Sequence, residues 1–327
     1  MSKNNSDGVW GQRPFVVFHF YDAGEVYRRN LAHFLLFGVT ANCDFLIIEQ
    51  GSSLGLGVIR TNVSSIQTAN IGHDFGGIVE ALNRKSIPLN RASYFFINSS
   101  VRGPFLPRWA GSQWVAPFLT RLEEGAGFVG VTSYETPNTS VSEGPPSHTQ
   151  SSAYALSGDA FRSLVNSGFY VLPDTVDKDH IIRDYEVGMS RLLDTQGFTA
   201  DALLPQSRPS FPAVSKNTTS RDGDMNYVGG YFGQNPPLLD VMFAKTNRGI
   251  YSEIFLAKKA INMEFSGSAS DFFSIPIVHE YSAFLLARAR KTIARELSRR
   301  RILDRLGSVA NRYKKVVGRL GNLRTGD

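Results

Sequence analysis

Short apolar runs alternate with amphipathic stretches along most of the chain. PFVVFHFYD (14–22) is apolar and closes on polar residues, the pattern of a buried strand. GEVYRRNLAHFLLFG (24–38) repeats its apolar positions every three or four residues and stops at a glycine, which predicts a helix. CDFLIIEQ (43–50) predicts a second strand and SSIQTAN (64–70) a third, followed by the turn IGHDFGG and the helix IVEALN. SYFFINSS (93–100) and GFVGVTSY (127–134) predict a fourth and a fifth. SAYALSGDAFRSLVNSG adds a strand and a helix capped by Ser157 or Asp159, and RDYEVGMSRLLDTQGF a helix ending at Gly197. Strands alternating with helices point to an α/β layered fold with a mostly parallel sheet. Residues 135–152 and 205–235 are rich in Ser, Thr, Pro, Asn and Gly and predict long loops. Residues 236–286 look like helices that close the domain. The expected organisation is a disordered 1–13, one domain over 14–286, and a tail over 287–327.

Composition narrows the classes. Of 327 residues 42% are hydrophobic and 20% charged, as in a soluble globular protein whose core needs no staple. The single cysteine, Cys43, excludes a disulfide framework and a cysteine zinc site, and is expected to be buried. No apolar run approaches the ~18 residues of a membrane span, and the first residues lack a signal-peptide core, so a cytoplasmic location is expected.

Charge is uneven. Between Arg288 and Asp327 there are thirteen Lys/Arg and three Asp/Glu, so this segment carries +10 and the rest −4 of the net +6. Ile302, Leu306, Val309, Tyr313, Val316 and Leu320 recur at helical spacing, with Arg301, Arg305, Arg312, Lys315 and Arg319 around them. A basic amphipathic helix of this kind suits an anionic membrane surface, packing against protein, or nucleic acid. The acidic balance of the body makes nucleic acid the weakest of the three.

In an open α/β sheet, ligands bind beyond the carboxyl ends of the strands. Here those ends carry Asp22, Glu49, Asn70 to Asp74, and Asn98 to Arg102. G-x-G-x-x-G after the first strand, G-x-x-x-x-G-K-[ST] and H-E-x-x-H are all absent, which argues against nicotinamide or flavin, P-loop and zincin sites.

YFFINSSVRGPFLPRW (94–109), NIGHDFGGIVEAL (70–82), HTQSSAYALSGDAFRSL (148–164), RDYEVGMSRLL (183–193) and VMFAKTNRGI (241–250) resemble a group of nucleotide-sugar glycosyltransferases from bacteria, fungi, algae and algal viruses. The resemblance covers roughly 15–260, and NSSVRGPF is its most specific part. It implies a GT-A-like (Rossmann-like) fold with a mixed, mostly parallel sheet flanked by helices, to which the basic helical tail is appended. It also implies transfer of a sugar from a nucleoside-diphosphate sugar to a glycan or lipid-linked acceptor, as in surface polysaccharide synthesis. A sugar- or nucleotide-binding protein without catalysis, and a nucleic-acid binder acting through the tail, stay open beside it.

The residues fit that chemistry. Glycines 72, 76 and 77 let a ligand approach the backbone, free N–H groups at a helix start suit phosphate, and Asp74 suits a sugar or ribose hydroxyl. Asn98-Ser99-Ser100 stands where such folds carry the Asp-x-Asp that holds Mn²⁺ or Mg²⁺. Lacking carboxylates, it is a weak ligand set, and Arg102 is the candidate replacement on the diphosphate. Should a cation be needed, Asp22, Asp240 and His279 are the next ligand candidates. The donor-binding candidates are Tyr21, Asp22, Glu49, Asn70, Gly72, His73, Asp74, Asn98, Ser99, Ser100 and Arg102. Glu186 is the candidate base for an inverting transfer, with Asp184 second. His148 and Gln150, at the end of the long polar loop, are the acceptor-side candidates.

The tail generates a prediction of its own. Basic residues near an anionic leaflet contribute roughly 1 kcal/mol each, screened by salt. The full chain is expected to sediment with anionic liposomes at low salt, and a chain ending at Ala287 is not. Equal sedimentation of the two contradicts a membrane-surface tail.

Overall fold

A computed structural model describes residues 13–134, 147–173, 177–204, 224–292 and 294–295. It divides into two compact units, Met1–Tyr281 and Ser282–Asp327. Of the second unit, residues 282–292 and 294–295 are described and are helical. The apolar stripe from Ile302 to Leu320 and the segment 1–12 lie outside the described residues, as do 135–146 and 205–223 of the expected loops. No helix among the described residues is long and apolar enough to cross a membrane.

The first unit is built on an eight-stranded mixed sheet. Its elements run β1 (Phe15–Tyr21), α1 (Glu25–Phe37), β2 (Asp44–Gln50), β3 (Val58–Arg60), β4 (Val63–Thr68), α2 (His73–Asn83), β5 (Ser93–Asn98), β6 (Val101–Arg102), α3 (Ala116–Glu123), β7 (Ala126–Gly130), β8 (Ser133–Tyr134), β9 (His148–Thr149) and β10 (Ala153–Ser157). Then come α4 (Gly158–Asn166), α5 (Lys178–His180), a π-helical stretch Ile181–Val187, α6 (Gly188–Thr195), β11 (Thr199–Ala202), α7 (Leu238–Val241), β12 (Ala244–Lys245) and α8 (Glu253–Ile261).

The strand order is β11-β7-β10-β5-β1-β2-β4-β3. β1 pairs in parallel with β2 and β5, aligning Phe15 with Asp44 and with Tyr94, and β4 continues the parallel set beyond β2. β10 is antiparallel to both β5 and β7. Two small ribbons, β8–β9 and β6–β12, stand apart from the sheet. This is the mixed, mostly parallel α/β sheet that the sequence pattern predicts.

Period-two alternation decides which helices cover which face. Val17, Ile48 and Phe96 point to one side and pack with Phe75 and Ile78 of α2, Phe161 of α4 and Tyr185. On the other side Phe18 meets Phe34 of α1, and Phe95 meets Trp114 and Phe118. Trp114 donates its indole N–H to the Gly38 carbonyl at 2.7 Å, so its one polar atom is satisfied inside the core. Cys43 is buried, and burial pushes its thiol up to about 11. Ser157, not Asp159, caps α4 by accepting from the Ala160 N–H.

His33 of α1 is buried with both ring nitrogens engaged. One faces the Pro104 carbonyl at 3.2 Å, the other the Tyr281 hydroxyl at 3.0 Å. A carbonyl only accepts, so Nε2 carries the proton and Nδ1 accepts from the Tyr281 hydroxyl. Burial, reinforced by the nearby Arg102 charge, lowers its pKa to about 3. The unfolded chain binds this proton below about pH 6.5 while the folded chain resists it. Stability is therefore present above that pH and lost as pH falls from 6.5 towards 3. Urea unfolding at a series of pH values is expected to show His33→Gln flattening this acid-side slope by about one proton, ~1.4 kcal/mol per pH unit. An unchanged slope contradicts the assignment.

Candidate active site at the carboxyl edge of the sheet

The topology brings the carboxyl ends of β1, β2, β4, β5 and β7 to one edge, together with the start of antiparallel β10. Asp22, Glu49, Asn70, Asp74 and Asn98 therefore share that edge, with Tyr21 beside Asp22 at the end of β1. Their side chains then divide into those that face the cleft and those tied into the scaffold.

Asp74 of α2 and Asn98 at the end of β5 meet directly. The Asn98 amide donates to Asp74 Oδ2 at 2.6 Å, and His19 of β1 places Nδ1 3.4 Å from Asp74 Oδ1. His19 is buried, and burial lowers its pKa although the Asp74 charge pulls the other way. α2 lies directly on this histidine. A Cβ on Gly77 would come within 2.8 Å of the imidazole, so the glycine is what permits the approach. The turn into α2 is left-handed at Gly72 (φ 69°) and also at His73 (φ 50°), which is costly for a residue with a side chain. No side chain caps this helix start. His73 and Asn70 are both exposed there, and Tyr21 is 41% exposed beside them at the end of β1.

Below Asp74 is a cavity of about 10 Å³, lined among others by His19, Asp74, Asn98, Ser151 and Tyr154. Ser151 leads to the opposite wall, where its backbone N–H donates to Glu186 Oε1 at 3.2 Å. Glu186 is half-buried and sits in the π-helical stretch, a geometry common at functional sites because it re-aims side chains. Its Oε2 makes no hydrogen bond with any described residue. The pKa of the Tyr154 hydroxyl is raised well above its ordinary value, chiefly by burial, then by neighbouring Tyr170, with the charges of Asp74 and Glu186 adding to it.

Two cations enter from a part of the chain that the sequence pattern left as undifferentiated closing structure. β12 pairs with β6, aligning Lys245 with Val101, and this sets Lys245 beside the Asn98–Ser100 turn. Burial lowers the Lys245 pKa, while Glu186, Asp74 and Asp224 favour its charged form. Arg248 bonds Asp224 at 2.6 Å and lies over the Tyr227 ring at 4.3 Å. His19, Ser151, Asp224, Lys245 and Arg248 were not singled out from sequence. Lys245 and Arg248 lie within the fragment VMFAKTNRGI, which was the available signal.

Several candidates are scaffold. Arg102 is fully buried. It holds both Glu253 oxygens at 2.9 and 3.0 Å and the Asn30 carbonyl oxygen at 2.8 Å, and no part of it reaches the cleft. Arg102 is therefore not the expected diphosphate contact, because its charge is matched by Glu253, 151 residues further along the chain. Ser99 is buried and ties β5 to β1 through the Tyr21 backbone. Asp22 is bound to Arg28 and the Gly24 N–H. Glu49 is buried and turned to the loop after β2, accepting from Ser53, Leu54 and Leu56. Asp184 is exposed and paired with its neighbour Arg183. Gln150 is buried in a knot with Thr132 and Asn226, while His148, also buried, stacks on Tyr134 at 5.3 Å. Ser100 bonds Asn98 Oδ1 through both its N–H and its hydroxyl.

The residues at 98–100 do not fit a divalent cation. Both polar ends of the Asn98 amide are engaged, by Asp74 and Ser100, and Ser99 is spent on the backbone. Asp240 and His279 are exposed and Asp22 is paired. Among the described residues no group of three His, Cys, Asp or Glu could hold a metal ion.

No family model matches the chain, and no curated protein matches it. Among solved structures it is similar to the glycosyltransferase GlyE of Streptococcus pneumoniae TIGR4, at TM-score 0.39 and 10% identity over 86% of this chain and 64% of that one. The apo form of GlyE aligns at TM-score 0.31 and 9% identity over 58% and 44%. The chain thus spans less than two thirds of the GlyE length it aligns with. The strand order and register above stand on their own.

The assignment of Arg102 to the scaffold is testable. Glu253 is half-buried, but its removal leaves the fully buried Arg102 guanidinium without its carboxylate, a loss of up to about 3 kcal/mol. Glu253→Ala is expected to lower unfolding free energy by that much in urea. A variant as stable as the parent contradicts the buried-pair account.

Proposed function

We propose that the chain is a glycosyltransferase of the GT-A type, moving a sugar from a nucleoside-diphosphate sugar to a glycan or lipid-linked acceptor with inversion. The observation that carries this reading is the pairing of two walls around Ser151: Glu186, held through one oxygen by the Ser151 N–H, and the Asp74–Asn98 pair. An inverting transfer needs one carboxylate oxygen fixed and the other free to accept a proton. Glu186 meets that requirement. In this scheme the free Oε2 takes the acceptor hydroxyl's proton as its oxygen attacks the anomeric carbon, and the nucleoside diphosphate leaves with the bonding pair. Asp74, oriented by Asn98, accepts a hydroxyl of the donor. The chemistry at 98–100 supports a reaction that does not use a divalent cation.

The lack of carboxylates at Asn98-Ser99-Ser100 also suits a protein that binds the nucleotide sugar without turning it over, and one experiment separates the two. A thermal-shift screen of nucleotide sugars identifies the donor, and transfer is then measured in EDTA. Transfer is expected to persist in EDTA. Glu186→Gln is expected to keep the thermal shift and to lose transfer ~10²–10⁴-fold, the usual cost of removing a general base. Equal turnover in the variant removes Glu186 from the mechanism, and loss of transfer in EDTA with recovery on Mn²⁺ overturns the metal-free scheme.

A further inference from the structure

Among the cations near the carboxyl edge, Lys245 stands out by what it lacks. Arg28 is paired with Asp22, Arg102 with Glu253, and Arg248 with Asp224. The ammonium of Lys245 makes no hydrogen bond or ion pair with any described residue, although the residue is half-buried. A partly desolvated ammonium without a partner is costly, and folds keep one where something else completes it. Its position is fixed by more than its own side chain. The two-residue ribbon aligns it with Val101, and the next residue, Thr246, bonds the Ser100 carbonyl through both its N–H and its hydroxyl at 2.9 Å. Ser100 in turn holds Asn98, which holds Asp74. The backbone of Lys245 is thus tied to the group that faces the cleft.

The surrounding charges specify the kind of ligand. Asp74 and Glu186 are acceptors suited to hydroxyl groups, whereas an ammonium suits anionic oxygens. A molecule that satisfies all three carries hydroxyls at one end and phosphate at the other. We infer that Lys245 is the contact for the diphosphate of the ligand, taking the place that a divalent cation would otherwise fill. This rests on the cleft's being a nucleotide-sugar site, and it assigns to Lys245 the role that sequence reasoning gave to Arg102.

The test uses inorganic pyrophosphate as the probe, titrated calorimetrically into the full chain, so that it does not depend on turnover. Loss of one charge-assisted hydrogen-bonding partner is expected to weaken binding about tenfold or more in Lys245→Met. Lys245→Arg is expected to retain most of the affinity. Lys258→Met, which removes an exposed charge on α8, is expected to bind as the parent does. As a second readout independent of any variant's folding, pyrophosphate is expected to protect Lys245 of the parent chain from amine acylation, read by mass spectrometry. Parent-like pyrophosphate affinity in Lys245→Met overturns the inference, as does acylation of Lys245 unaffected by pyrophosphate. A parent chain that does not bind pyrophosphate also overturns it. Lysine-dependent pyrophosphate binding without any sugar transfer leaves the inference standing and removes the catalytic reading instead.

Discussion

Asn30, fully buried in α1, is the polar hub on which the cleft depends. Its amide N–H groups donate to the Ser99 carbonyl at 2.8 Å and to the Thr246 hydroxyl at 2.7 Å. Its carbonyl oxygen accepts from Arg102 at 2.8 Å. One side chain therefore joins the helix after β1, the turn after β5 and the β12 segment. Arg102 extends the hub to α8 through Glu253, which Arg29 also meets. Buried polar networks raise the stakes in this way: satisfied throughout, they fix one geometry, and broken at one member they leave orphans in a low-dielectric interior. The geometry fixed here is that of Asn98, and of Lys245 beside it.

The sheet supplies the other half of the arrangement. Parallel β1, β2, β4 and β5 send their carboxyl ends to one edge, and the antiparallel β10 begins at that edge. Ser151, just before β10, is thereby set between Asp74 on one wall and Glu186 on the other. Electrostatics in the cleft then follow from burial. His19 is driven towards its neutral form under Asp74, and Lys245 is destabilised as a cation by burial but supported by three carboxylates. The site is a balance of unlike charges, only partly paired, which is the condition for binding a ligand that carries both hydroxyls and anionic oxygens.

Much of the scaffold was legible from sequence because it is local. The apolar runs that became β1, β2, β5 and β7 and the periodic stretch that became α1 declare themselves within a dozen residues. The edge cluster followed from topology, since parallel strands that end in polar residues must share an edge. What sequence could not supply were partners. Arg102 looked like a phosphate contact because Glu253, its actual partner, is 151 residues away. Lys245 was hidden for the converse reason: a two-residue strand has no pattern, and its pairing with β6 is what brings it to the cleft. His19 was masked by the apolar run around it. The π-helical stretch read as ordinary helix, because one extra residue per turn leaves no compositional mark.

In the proposed reaction, Glu186 activates the acceptor directly for a single displacement. The configuration of the newly formed glycosidic bond reports that most plainly. Proton NMR of the product, taken early in the reaction with the nucleotide sugar that stabilises the chain, reads the anomeric coupling before any mutarotation of a free sugar can blur it. The arrangement around Glu186 predicts a product of inverted configuration relative to the donor. A product that retains the donor's configuration contradicts it.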